Sequence, residues 1–345
     1  MATRDSGGLG KVKIIYHDPH GRGSSLNSAI YCGDVQDLAT CPIQINTLDV
    51  PILWKKSRKS DPFCSDPYKL LKVSWQADRT LQRLAQWVNP VAEHQYRIHT
   101  FQLLICGNIA RFIRYDHAAA IVSESFDYIK HSGLLVQFFH RLAHLNQTEL
   151  GRDERYTNIS EADQQLVISL HEHFGSRKGG LVTPLVGISL TLKDEETNID
   201  HEFLLWRPIR QKHSVLGRET RAFIVFHKAS HTFKFYKESW QPDSRHSEAT
   251  TLRMLNKAQV PHVPTLFLGG DIPGHVTKSQ DFLDKPWNKN PSRSIYRRRN
   301  TYILINELGM PAEWFQSARQ FLQVIRDGFV GKSQLLLSNR ILSWH

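Results

Sequence analysis

The sequence has 345 residues, enough for two modest domains, and its 40% hydrophobic and 22% charged residues are typical of a globular protein. The net charge of +11 favours anionic partners such as nucleic acid, nucleotide phosphates or an anionic membrane, with an ordinary basic surface as the simpler alternative. No apolar run approaches the roughly 18 residues of a membrane span, the first residues are polar, and the cysteines form no Cys-x-x-Cys pair. We therefore expect an intracellular protein of the cytoplasm or nucleus, with no membrane partner.

Residues 1–30 are rich in Gly, Ser, His and charged residues, which predicts a disordered N-terminus. The following region, 31–150, is predicted to combine strands and helices. Gly107-Asn108 is a hairpin turn signal between two of its strands. The predicted elements are strands over 43–54, 101–106, 110–115 and 119–123, a helix over 79–88 and an amphipathic helix from Leu134 to Leu145.

Two runs of basic residues allow more than one interpretation. The run 55–59 is interpreted as a solvated turn, with a nucleic-acid contact as the alternative. The loop 285–300 carries six Lys or Arg and no acid, which is typical of a solvated insertion or of a docking surface for an anion. Trp287 and Tyr296 are its only aromatic residues, so nucleic acid is not favoured as its partner.

The second half predicts a hairpin followed by a helix, after a polar linker over 146–160. A strand over 222–226 and a turn over 227–230 precede a strand on which Phe233, Phe235 and Lys237 share one face, interpreted as the inward one. A lysine on an inward face needs an anionic partner. Asp243 or Ser244 is predicted to cap the next helix, and Glu248 begins its apolar i, i+4, i+7 stripe. We therefore expect an ion pair between Lys237 and Glu248 that can hold a nucleotide phosphate, with a purely structural salt bridge as the alternative.

Seven short motifs, in this order, resemble the fungal-type protein kinases: 114–116, 124–128, 142–145, 217–221, 235–240, 263–266 and 306–309. The resemblance implies that Lys237 contacts the phosphates of ATP and that Glu248 is its helix partner. It also implies that Glu307, Leu308 and Gly309 form the hinge that meets adenine. In complete relatives the implied reaction is ATP-dependent phosphorylation of Ser or Thr.

The sequence also departs from that family. Kinases carry Gly-x-Gly-x-x-Gly in the phosphate loop, whereas this chain has Gly217 alone, with Thr220 and neighbouring arginines as side-chain donors. A plain hairpin is the alternative. Ser343-Trp344 stand where His-Arg of the catalytic loop is expected, and no Asp-Phe-Gly follows. We therefore expect a truncated large lobe, impaired catalysis and no Mg²⁺, and the alternatives are a pseudokinase that binds a protein partner still to be identified or an incomplete gene product.

The resemblance likens the N-terminal region to the restriction-endonuclease fold, in which an Asp and a Glu-x-Lys strand hold a metal. The nearest segment here, 49–55, has Leu53 in place of the glutamate, which predicts a nuclease-like scaffold without a metal. His140 and His144 have zinc-ligand spacing, but Arg141 replaces the glutamate of His-Glu-x-x-His, so no metal is assigned.

The predicted fold class is α+β. A nuclease-like region over 31–150 precedes a protein-kinase-like small lobe over 176–312, and 313–345 begins a large lobe that is mostly absent.

Overall fold

The computed structural model describes the residue ranges 12–17, 27–32, 48–64, 66, 69–175, 185–206, 208–211, 214–285, 295–309 and 315–337. They fall into two compact units, the first drawn from 1–154, 213–219 and 276–298 and the second from 155–212, 220–275 and 299–345. Five helices and two sheets are described, and this mixture of α and β structure confirms the predicted class. No described helix has both the length and the apolar character to cross a membrane.

The first unit contains a seven-stranded sheet whose path runs β1-β2-β3-β4-β5-β6, with β7 beside β5. Strands β3 and β4 are parallel, as a helical crossover requires, and the other pairs are antiparallel. The strands are Val12–His17 (β1), Asn27–Cys32 (β2), Val50–Lys55 (β3), His99–Cys106 (β4), Ile109–Asp116 (β5), Ala120–Val122 (β6) and Phe126–Asp127 (β7). The crossover is helix α1, Trp75–Gln95, and helix α2 is Ser132–His144.

Strands β1 and β2 differ from the sequence expectation. They pair along their whole length, from Val12 opposite Cys32 to His17 opposite Asn27, although most of this stretch was predicted to be disordered. The surrounding Gly-rich and Ser-rich residues dominate the composition of 1–30 and hide two short runs of β-forming residues.

The sheet of the first unit has an apolar cluster on each face. Leu53 and Leu104 lie in one cluster with residues of α1, whereas Ile52 and Leu103 lie in the other with Leu142 of α2. Because neighbouring strand residues point to opposite faces, a strand buried on both faces is apolar throughout, as 103–106 is. The turn at Gly107, where φ is +62°, joins β4 and β5 as predicted.

The second unit contains an eight-stranded sheet in the order β14-β15-β13-β12-β10-β9-β8, with β11 beside β12. The strands are Tyr156–Asn158 (β8), Ile188–Lys193 (β9), Asp200–Leu205 (β10), Pro208–Gln211 (β11), Arg221–His227 (β12), Thr232–Pro242 (β13), Leu266–Val276 (β14) and Arg298–Ile305 (β15). The helices are Glu161–Gly175 (α3), Glu248–Lys257 (α4) and Ala318–Leu337 (α5).

One feature of the second unit was not expected from the sequence. Strand β8 lies inside the stretch predicted to be a linker. Helix α5 occupies most of the segment 313–345 that was expected to begin a large lobe. The remainder of the expected large-lobe segment, 338–345, and most of the basic loop, 286–294, lie outside the described residues. The restriction-endonuclease likeness and the domain boundaries remain predictions.

Candidate functional site

The predicted ion pair between strand β13 and helix α4 is present. Lys237 Nζ lies 2.6 Å from Glu248 Oε2, close enough for a charge-assisted hydrogen bond. The Lys237 side chain is 29% exposed and the Glu248 side chain is 40% exposed, so solvent reaches both charges. A ligand phosphate approaching from solvent can therefore reach the ammonium group.

Helix α4 begins later than the sequence suggested. The cap is Ser247, whose Oγ accepts a hydrogen bond from the Thr250 backbone N–H at 3.1 Å, and not Asp243 or Ser244. Strand β13 runs on to Pro242, which leaves 243–246 for the turn. Glu248 is consequently the first residue of the helix, where the partial positive charge of the helix end favours a carboxylate.

Replacing Ser247 with alanine is expected to lower the free energy of unfolding by about 1 kcal/mol, because the Thr250 N–H loses its acceptor. Chemical denaturation of the Ser247→Ala variant measures the change. Ser244→Ala is the matched control, because Ser244 is exposed and precedes the helix. Equal losses in both variants would show that the Ser247 cap does not hold the helix start.

Lys237 does not lie on the most buried face of β13. Phe233, Phe235 and Lys237 are half-buried, whereas the alternate residues are buried, so the prediction of the inward face was wrong. The buried residues of that opposite face are Lys234, Tyr236, Glu238 and Trp240. Arg155, which directly precedes β8, and Tyr156, the first residue of β8, cover part of this face because they contact Glu238 and Tyr236.

The hinge segment predicted from the resemblance follows directly after β15. The Asn306 N–H donates to the Thr265 carbonyl at 3.0 Å, and Glu307 Oε2 accepts from the Thr265 N–H at 2.8 Å. Burial alone would raise the pKa of Glu307, but the hydrogen bonds that its carboxylate accepts from Thr265 and from its own backbone, with the charge of Lys234, outweigh burial, so the pKa lies below its usual value. The next residues, Leu308 and Gly309, are exposed, and their backbone groups have no hydrogen-bond partner within the described ranges.

Lys234 is a polar residue of the site that the sequence analysis did not identify. Its Nζ donates to Asn306 Oδ1 at 2.7 Å and lies 4.0 Å from the centre of the Phe267 ring. Burial lowers its pKa, and the charge of Glu307 partly opposes this shift. The available signal was the alternation of strand β13, which places a second lysine on the face opposite Lys237.

The two candidate residues of the phosphate loop fall in different units. Gly217 belongs to the first unit, with φ at +97°, and its N–H donates to the His117 carbonyl at 2.9 Å. Glu219, in the same segment, lies 3.1 Å from the ring of His117. Thr220 belongs to the second unit and is half-buried just before β12. The Gly217 N–H is therefore already bound to protein.

In the part of the chain that the structure describes, no hydrogen bond or ion pair joins the Lys237–Glu248 pair to Glu307, Leu308 or Gly309. These residues all belong to the second unit, on β13, α4 and the segment after β15. The structure thus gives one ion pair and one exposed backbone segment as two separate components of a candidate site.

The segment compared with a nuclease metal site has other partners. Asp49 Oδ1 lies 3.1 Å from Arg97 Nη2 and 3.1 Å from Arg152 Nη2, and Leu53 is fully buried. Two arginines therefore neutralise the Asp49 carboxylate. The rings of His140 and His144 lie 4.5 Å apart, and within the described ranges no group of three or more His, Cys, Asp or Glu side chains could hold a metal ion.

Comparison with known proteins supports the resemblance. The sequence model of a family described as "Fungal protein kinase" matches residues 68–344, which is most of the chain and includes all seven motifs. No match was found among curated proteins or among solved structures.

Proposed function

Because the chain belongs to the fungal protein kinase family, we propose that its second unit binds ATP at the Lys237–Glu248 ion pair. The observation that carries the proposal is the 2.6 Å contact between the strand lysine and the glutamate at the start of the next helix. In protein kinases such a lysine contacts the phosphates, and a helix glutamate holds it in place.

The residues present fit the phosphate end of the ligand. The Lys237 ammonium would donate to phosphate oxygens, and Glu248 would fix its position and charge. Ala222, which has a small side chain, lies opposite Lys237 on strand β12. Thr220, near the start of the same strand, would add a hydroxyl donor. Gly217 does not fit this role, because its N–H already donates to His117.

The hinge fits the adenine end. The backbone groups of Leu308 and Gly309, which have no partner among the described residues, would pair with the edge of the base. Glu307 would act indirectly, since its carboxylate holds the segment against Thr265. Phosphorylation of Ser or Thr is the reaction implied for complete members of the family, and we do not extend it to this chain. Transfer also needs a catalytic Asp and residues that bind Mg²⁺, and these 345 residues contain neither His-Arg-Asp nor Asp-Phe-Gly.

Calorimetric titration of ATP, with and without Mg²⁺, tests the proposal. We expect Lys237→Ala to bind ATP about 10- to 100-fold more weakly, since a hydrogen bond to a charged group contributes about 1.5–3 kcal/mol. Lys193→Ala removes the same charge from the end of strand β9 and is expected to leave the affinity unchanged. Circular dichroism of each variant verifies that it is folded.

If the unmodified protein does not bind ATP, or if both lysine variants bind it equally well, the ion pair is structural. The function would then be that of a non-catalytic interaction protein.

A further inference from the structure

The first unit concentrates positive charge in one short stretch. Residues 55–83 contain eight Lys or Arg and three Asp, a net charge of +5 within a chain of net charge +11. One of the three acids, Asp61, is buried, and both of its oxygens accept hydrogen bonds from Arg111. The Asp61 carboxylate is therefore paired inside the unit and does not offset the exposed cations.

The fold gathers six of these cations onto what we call the basic surface, which consists of Lys55, Lys56, Arg58, Lys59, Arg79 and Arg83. Lys55 ends strand β3, and a single-turn 3-10 helix, Arg58–Ser60, packs against α1. Arg79 and Arg83 are exposed at four and eight residues after Trp75, on one side of α1. None of the six forms an ion pair with a carboxylate within the described ranges.

Three of these like charges, those of Lys55, Arg79 and Arg83, lie close enough to act on one another. Burial and the charges of Arg83 and Arg79 lower the pKa of Lys55. The backbone holds the cations in place, because the Gly107 N–H donates to the Lys55 carbonyl at 2.8 Å. A Cβ at Gly107 would lie 3.2 Å from the Arg58 backbone nitrogen, so the turn and the 3-10 helix are tightly packed. The repulsion is thus built into the fold, and an anionic partner would relieve it.

Large apolar side chains are exposed beside the basic surface. Leu70, Leu71 and Trp75 are each about half exposed or more, and Val73 is fully exposed. The Lys72 N–H donates to the Pro62 carbonyl at 2.8 Å, which fixes the segment next to the 3-10 helix. Arg79 lies over the Trp75 ring at 4.7 Å. Four exposed apolar side chains within six residues form a patch that a solvated turn does not explain.

We propose that the basic surface and its apolar patch bind the surface of an anionic membrane. Lys and Arg would contact lipid phosphates and carboxylates, while Val73, Leu70 and Leu71 would enter the boundary with the acyl chains and Trp75 would lie at headgroup level. Nucleic acid would account for the cations and for Trp75, but not for the three exposed aliphatic residues. No helix within the described residues is long and apolar enough to span a membrane, but binding at the membrane surface requires no spanning helix.

Sedimentation with lipid vesicles tests the proposal. The full chain is expected to bind phosphatidylcholine vesicles that contain phosphatidylserine, not phosphatidylcholine alone, and to dissociate at high salt. Each cation at an anionic surface contributes about fivefold to binding, so Arg79→Glu/Arg83→Glu is expected to weaken it by at least about 25-fold. Lys193→Glu/Lys257→Glu, the matched charge change in the second unit, is expected to have little effect.

The variant Val73→Ser/Trp75→Ser distinguishes a membrane from other anions, because it leaves the charge unchanged. It is expected to weaken binding to the vesicles at least tenfold. If the unmodified chain does not bind phosphatidylserine vesicles, the proposal is wrong. The proposal is also wrong if Val73→Ser/Trp75→Ser binds the vesicles as well as the unmodified protein does. In that case, equal binding of the variant and the unmodified protein to a single-stranded RNA oligonucleotide would assign the surface to nucleic acid. ATP binding is measured on the same variants and is expected to be unchanged, so the two proposals fail independently.

Discussion

Replacing Glu238 with alanine is expected to lower the free energy of unfolding by about 3–5 kcal/mol, the cost of breaking a buried ion pair from one side. The Glu238 side chain is 4% exposed, and its two oxygens lie 3.1 Å from Arg155 Nη2 and 3.4 Å from Arg221 Nη1. The Tyr236 hydroxyl donates a further hydrogen bond at 2.8 Å. Without the carboxylate, two guanidinium groups would remain together in a poorly solvated interior.

Denaturation by urea, followed by circular dichroism, measures this loss. Glu202→Ala is the matched control, because Glu202 also lies in the sheet of the second unit and pairs with a lysine, Lys228, at 3.0 Å. The Lys228 and Glu202 side chains are 32% and 45% exposed, and ion pairs that solvent reaches in this way contribute about 0–1 kcal/mol. If Glu238→Ala lowers the free energy of unfolding no more than Glu202→Ala does, the buried ion pairs of Glu238 do not stabilise the fold.

The same cluster predicts a dependence on pH. Burial alone would raise the pKa of Glu238, but the charges of Arg155 and Arg221 outweigh it and hold the pKa below the usual value of 4.5. A carboxylate with a depressed pKa stabilises the fold above its unfolded pKa, and this contribution is lost as the pH falls through the folded pKa. The stability difference between the unmodified protein and Glu238→Gln is therefore expected to be full at pH 7 and to shrink below about pH 4.5. A difference that stays constant down to pH 3 would contradict the assigned ion pairs.

The sequence predicted the Lys237–Glu248 pair and missed the Glu238 cluster because the partners in the pair are close in sequence, whereas those in the cluster are far apart. Eleven residues separate Lys237 from Glu248, so the local strand and helix patterns brought the two charges together, although they assigned Lys237 to the wrong face of the strand. Arg155 lies 83 residues before Glu238, in a short polar stretch that resembles a linker. The alternation of Tyr236, Glu238 and Trp240 marks a buried face on which a carboxylate needs a cation, but it does not show which cation is present.

The phosphate loop shows the same limit. A glycine between two predicted strands suggested close approach to a phosphate, and the backbone at Gly217 does adopt a positive φ. Its N–H nevertheless donates to His117, about 100 residues earlier in the chain. Nothing in the local pattern identifies that carbonyl, because the contact depends on how distant segments fold together. Local periodicity thus predicted the strand–helix pair, whereas long-range contacts determine which loop donors remain available.

Replacing Gly151 with alanine is expected to destabilise the protein by about 2–5 kcal/mol, from backbone strain and steric overlap together. The φ angle of Gly151 is +92°, which residues with a side chain rarely adopt. A Cβ there would also lie 2.1 Å from the carbonyl oxygen of His99. The Gly151 carbonyl accepts the Ile98 N–H at 2.7 Å, so the backbone cannot move away without losing this hydrogen bond.

Gly217→Ala separates the two causes. Gly217 has a similar φ of +97°, but a Cβ there would meet nothing within 4 Å, so only the strain of about 1–2 kcal/mol is expected. Gly133 in helix α2 has neither constraint, and Gly133→Ala should stabilise the helix by about 0.5–1 kcal/mol. Thermal and chemical denaturation should therefore rank Gly151→Ala as least stable, then Gly217→Ala, then Gly133→Ala. Equal destabilisation by Gly151→Ala and Gly217→Ala would mean that the backbone at His99 shifts to accommodate the new Cβ. The close contact between Gly151 and His99 would then not constrain the fold.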